Sequence, residues 1–171
     1  MIKQLILKFK TRSYLKKRGN PNMTDYANAE KIAIVVSDQF NESEITNTVV
    51  KELKKDGKET SILFFCHDIK KQSTELPHFA NNDISLFGQM NNEELDFFLS
   101  QNYDFALCFD NSQHYLIDYI FSQVKAKCRI GNMNLSRKQL FDMMVQNDST
   151  EQQLIKEVLK YLKMIKPHGQ K

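Results

Sequence analysis

Residues 103–131 read YDFALCFDNSQHYLIDYIFSQVKAKCRIG, and this run decides the fold because it spells one strand, helix and strand unit. Phe105, Ala106, Leu107, Cys108 and Phe109 are uninterrupted apolar residues, the pattern of a strand covered on both faces by helices. Asp110, Asn111 and Ser112 break that run, and Ser112 or Asn111 is expected to cap the next helix by accepting its free backbone N–H groups. The helix is expected over about residues 113–125, with Leu116, Ile117, Ile120, Phe121 and Val124 facing inward and Tyr115 and Tyr119 widening the apolar surface. Residues 127–130 read as a short strand, and Gly131 permits a tight exit. Two strands joined through a helix imply a parallel sheet.

The same alternation extends outward in both directions. Upstream, residues 32–36 form a buried strand, and Asn41 followed three residues later by Glu44 resembles a capping box. Ile45, Val49 and Leu53 then recur on one helical face up to the stop at Gly57. Residues 60–66, TSILFFC, are a second strand, which the right-handed crossover places parallel to the first. Residues 67–82 are polar and broken by Pro77, a long loop; residues 84–87 follow as a third strand. Asn91 or Asn92 opens a helix with Leu95, Phe98 and Leu99 inward and Phe97 more exposed. Downstream, residues 140–145 read as the last strand, and Thr150 opens a final helix with Leu154, Val158, Leu162 and Ile165 on one face. The expectation is a three-layer, Rossmann-like α/β fold with a mostly parallel sheet of about six strands in the order 3-2-1-4-5-6.

The chain of 171 residues, 41% hydrophobic, suffices for one domain with a real core. No apolar run approaches the roughly 20 residues that cross a bilayer, and lysines interrupt the first 20 residues where a signal peptide needs an apolar centre, so a cytoplasmic protein is expected. Cys66, Cys108 and Cys128 fall at or inside strands without zinc-type spacing, and read as reduced core residues. The net charge is +3, yet residues 1–20 hold seven of the 24 Lys and Arg and no acid; the other 17 cations against 21 acids leave −4. That asymmetry divides the chain into a basic helical arm, residues 1–20, and a single α/β domain, residues 21–171, joined at Asn20-Pro21-Asn22. On the arm, Ile2, Leu5, Ile6 and Phe9 share one side at helical spacing.

The basic leader, AEKIAIVV, NNDISLFG, YDFALCFD, VKAKCRIG and the closing YLKMI together resemble an uncharacterised family, a domain of unknown function in small cytoplasmic proteins of Bacteroidetes-type bacteria. The resemblance implies the fold and the cellular context and carries no activity. Over residues 103–131 alone the chain is also similar to the amino-terminal Rossmann-like domain of heptosyltransferase-type glycosyltransferases. In those enzymes a second domain binds the nucleotide sugar, and this chain is too short to contain one, so the likeness implies shared architecture rather than sugar transfer.

Ligands of open parallel sheets bind beyond the carboxyl ends of the strands, where strand order reverses. Asp38, His67, Asp110 and Asn111 are the candidates there, an imidazole and carboxylates able in principle to move protons; Asp68 beside His67 could orient that ring. Asp and Asn after a strand nevertheless serve mostly as turn and cap residues. His114 is no stronger as a ligand, and His78 and His168 look like surface residues. SDQFNESE after the first strand has no glycine and two acids at the helix start, which disfavours phosphate and hence a nucleotide cofactor. No cofactor and no metal is expected.

Two function classes follow. The leading one is a non-enzymatic binding or adaptor protein with a protein partner, whose Lys3, Lys8, Lys10, Arg12, Lys16, Lys17 and Arg18 meet an anionic surface. RNA, including the ribosome, would use phosphate contacts and stacking on Tyr14; the inner face of a membrane would take Ile2, Leu5, Ile6 and Phe9, making the protein peripheral to it. The alternative is a small-molecule-binding or glycosyltransferase-like enzyme using the crevice at the strand ends.

Overall fold

The computed structural model describes residues 1–22, 24–67, 76–146 and 150–166. Six strands form one parallel sheet: β1 (Lys31–Val36), β2 (Glu59–Phe65), β3 (His78–Phe79), β4 (Asn102–Phe109), β5 (Lys125–Asn132) and β6 (Met143–Val145), in the order β3-β2-β1-β4-β5-β6. The expected order is therefore the observed one. β4 lies between β1 and β5, with Ile34 and Ile130 both in register with Leu107. Its residues Phe105 to Phe109 are all buried, because side chains alternate between two covered faces.

Helices cover both faces. Under β1 and β4, α2 runs α-helical over Glu42–Ile45, π-helical over Thr46–Val50 and α-helical again over Lys51–Lys55. Asn41 caps it by accepting from the Glu44 backbone N–H at 3.0 Å, and Ile45, Val49 and Leu53 are fully buried, as their spacing predicts. The opposite face carries α3 (Glu93–Ser100), capped by Asn92, and α4 (Tyr115–Phe121). The closing helix α5 (Glu151–Met164), capped by Thr150, shares the α2 face through Leu154, Val158 and Leu162. The amino-terminal helix α1 (Ile2–Lys17) lies on α4, outside the three layers.

Several local expectations are corrected. The third strand is His78–Phe79, within the stretch read as loop, while residues 84–87 form no strand; Ile84 makes one bridge to Met90. Proximity to β2 overrides composition there, since Pro77 supplies a carbonyl to Phe64 N–H and Phe79 one to Cys66 N–H. His78 is consequently buried rather than on the surface. The last strand begins at Met143 rather than Leu140. Helix α4 starts two residues late, because Ser112 turns back to bond Asp110 Oδ1 and leaves His114 as the cap residue.

Gly131 lies inside β5, not in an exit turn. Its bareness admits a neighbour: a Cβ built there would sit 2.3 Å from the ring of Phe141, which is buried against Phe121 at 5.6 Å between centroids. Gly131→Ala should therefore destabilise the fold by about 1–3 kcal/mol through overpacking. Adding Phe141→Leu should recover part of that loss, and urea denaturation of the two variants checks it.

Candidate crevice at the strand ends

The reversal between β1 and β4 brings the crevice candidates to one edge, as the topology rule requires. Asp38 Oδ2 accepts the His67 backbone N–H at 3.2 Å, tying the loops after β1 and β2 together. His67 itself is exposed. Its ring meets that of His114 edge-on at 5.8 Å, and His114 stacks on Tyr115 at 4.8 Å and leans on Phe65 at 4.6 Å. Burial and the neighbouring His67 push the His114 pKa down against the pull of Asp110 and Asp38. Asn111 accepts from Asn132 Nδ2 at 2.7 Å across β4 and β5. Asp68 and His168 lie outside the described residues.

Asp110 is fully buried and committed to the fold. Arg137, which follows β5 in the short 3-10 turn Leu135–Arg137, places Nη1 2.9 Å from Asp110 Oδ2 and Nη2 2.6 Å from Asp118 Oδ1 on α4. Its side chain is 4% exposed. Asp110 Oδ1 also takes the N–H and hydroxyl of Ser112, at 2.8 and 2.5 Å. A carboxylate held this way orders a loop rather than shuttles protons. The sequence reading missed Arg137, since a lone arginine in the polar run NMNLSRKQ carries no periodic signal.

The enclosed space nearby is small. A cavity of about 250 Å³ is lined by Asp38, Phe40, Glu42, Phe65, His67 and His78, below the roughly 300–1,000 Å³ of small-molecule pockets. Its deepest polar pair is spoken for, because His78 Nε2 lies 2.8 Å from Glu42 Oε1 while Nδ1 meets the Leu76 carbonyl. Among the described residues no three His, Cys, Asp or Glu side chains converge on a metal position. Burial raises the Cys108 and Cys128 thiols, the latter to about 12, which leaves neither as a nucleophile.

The basic helix sits elsewhere, and its cations divide. Lys3 Nζ donates to the Asn81 carbonyl at 2.6 Å and to Ile84 O, and Lys10 Nζ to Phe87 O. Arg18 forks onto Asp142, at 2.8 and 2.5 Å. Lys8, Arg12, Lys16 and Lys17 are exposed, with no ion pair among the described residues. Leu7 is the fully buried anchor, Tyr14 packs on Tyr119 with centroids 6.1 Å apart, and Ile2, Leu5 and Phe9 face out, 66%, 63% and 74% exposed.

A parallel six-stranded sheet of this order with helices on both faces defines a Rossmann-like α/β protein. Within that class the chain belongs to a family of unknown function, DUF6913, whose model matches residues 3–165. No curated protein matches it. No helix among the described residues is long and apolar enough to cross a membrane.

Removing one partner from the buried cluster should be costly. Arg137→Met is expected to lose about 3–5 kcal/mol by stranding Asp110, and Asp110→Asn in that background should restore part of it, both read by urea denaturation. His114 supplies a pH test. With its folded pKa depressed, the unfolded chain takes the proton first, so the stability it contributes is full well above about pH 6.5 and is lost as pH falls from there through the lower folded pKa. His114→Gln should flatten the thermal stability profile between about pH 7.5 and pH 5.5.

Proposed function

We propose that this protein is a non-enzymatic adaptor that docks on an anionic membrane surface, at the cytoplasmic face, through the outer side of α1. The observation that carries the reading is the exposure of Ile2, Leu5 and Phe9 on a helix held in place by Leu7, beside four cations with no ion pair among the described residues. A helix fixed to its domain by one face is not expected to leave three large apolar side chains in water on the other, and such a stripe flanked by cations suits the boundary between headgroups and acyl chains. Lys8, Arg12, Lys16 and Lys17 would meet lipid phosphates, each contributing about 1 kcal/mol near the surface.

RNA fits this face less well. Tyr14, the ring suited to base stacking, is half-buried against Tyr119, and the apolar stripe offers a phosphate backbone nothing. A small-molecule enzyme has less support still, since the crevice is small and Asp110 is neutralised by Arg137.

The test is sedimentation of the full chain with vesicles of phosphatidylglycerol and phosphatidylcholine across a salt series. Binding is expected only with the anionic lipid and should weaken as salt rises. Replacing Arg12, Lys16 and Lys17 with Gln should weaken it about a hundredfold, and Ile2→Gln with Leu5→Gln and Phe9→Gln should abolish it while the fold persists, because those side chains touch solvent. Equal binding to neutral vesicles, no binding at low salt, or retention of total RNA by the apolar triple variant would overturn the reading.

A further inference from the structure

On its inner side β2 pairs with β1 from Glu59 to Phe64, but its outer side is covered at one end only. β3 meets it at two positions, Phe64 with His78 and Phe65 with Phe79. Backbone groups of successive strand residues point to alternate sides. Glu59 N–H bonds Glu30 on the inner side, whereas Phe64 and Cys66 N–H bond Pro77 and Phe79 on the outer side. Thr60 and Ile62 share the parity of Phe64; Pro77, which has no N–H, stands opposite the Ile62 carbonyl, so the Thr60 N–H and C=O and the Ile62 N–H form an open edge, without a partner among the described residues. Beside that edge runs a groove of about 420 Å³ whose apolar floor is Ile62, Pro77, Phe97 and Phe98 and whose rim carries Glu93 and Glu94. Phe97 is 66% exposed, and both glutamates are exposed with no ion pair among the described residues.

We infer that this edge accepts an extended, lysine- or arginine-bearing peptide segment of a partner protein as an added strand. Main-chain bonds to Thr60 and Ile62 supply register, alternate apolar side chains enter the groove against Phe97 and Phe98, and the cations of the segment meet Glu93 and Glu94. An unpaired edge of this kind is ordinarily blunted by a charge on the strand or by a covering element; among the described residues Pro77 covers only the Ile62 carbonyl and nothing lies over Thr60. Charge selects the occupant: a second copy would set two acidic rims face to face across a twofold axis, with like charges opposed. The inference stands apart from the lipid contact, since α1 and the β2 edge share no residue.

The experiment uses the full chain and a fluorescein-labelled peptide of about nine residues alternating valine and lysine, followed by polarisation. Binding is expected, with the Thr60 and Ile62 amides slowed in hydrogen exchange by the peptide. The double variant Glu93→Gln, Glu94→Gln should weaken binding about five- to tenfold, and Phe97→Ala should weaken it as well; all three positions are exposed and leave the fold intact. A peptide N-methylated at alternate residues, or with glutamate for lysine, should not bind. Equal binding by either control peptide, or no polarisation change at about 1 mM protein, overturns the inference. A dimer in analytical ultracentrifugation that Phe97→Ala dissociates assigns the edge to a second copy instead and also overturns it.

Discussion

The guanidinium of Arg137 between Asp110 and Asp118 holds the active-looking end of this molecule in its present shape. Asp110 brings a carboxylate to the fully buried end of the central strand, a position that costs several kcal/mol for an unpaired ion. Arg137 neutralises it and reaches Asp118 on α4, so one side chain joins the end of β4, the first turns of α4 and the turn after β5. Burial pushes Asp118 up and Arg137 answers it, while the surrounding negative groups keep Arg137 charged despite its own burial. The same cluster fixes the platform for α1, because α4 presents the Tyr119 face against which Tyr14 rests.

Close approach then sets what α1 can do. Tyr119 donates to the Gly88 carbonyl at 2.9 Å, and a Cβ at Gly88 would fall 2.2 Å from that hydroxyl and 3.1 Å from Leu7. Gly88 also holds φ at +80°, open to glycine at little cost. The segment ending at Gly88 therefore lies tight against both helices, near enough for Lys3 and Lys10 to reach its carbonyls. Those two lysines dock the helix by their heads.

The strand order was legible because apolar runs and crossover lengths carry it: β1 and β4 are long and buried on both faces, β2 and β5 are buried over their carboxyl-terminal halves, and helices of clear period lie between them. β3 was not, since two residues beside a proline have no period, and only the neighbouring edge of β2 makes them a strand. Which side of α1 meets the domain was not legible for a related reason. Periodicity selects the most apolar stripe, Ile2, Leu5, Ile6 and Phe9, yet the observed face is Leu7, Tyr14 and Leu15 with Lys3, Lys10 and Arg18. Of the crevice, the gathering of Asp38, His67, Asp110 and Asn111 was legible from topology. The commitment of Asp110 to Arg137 was not, because an ion pair spanning 27 residues leaves no trace in spacing.

Charge in the leader is thus two populations that composition sums into one. Lys3, Lys10 and Arg18 are occupied by carbonyls or by Asp142, and their positive charge is part of what attaches α1 to the domain. Lys8, Arg12, Lys16 and Lys17 make no ion pair to the domain among the described residues, Lys8 acting on Asp118 only at a distance, and they sit around an apolar stripe that the domain does not use. A helix selected only for docking would be expected to reverse this arrangement, placing Ile2, Leu5 and Phe9 inward and leaving its lysines in water. Here the most apolar face is turned away from the core, and the residues that turn it are the ones holding carbonyls of the loop beneath; docking orients the stripe outward, which is why the attachment and the exposed surface belong to one design rather than two.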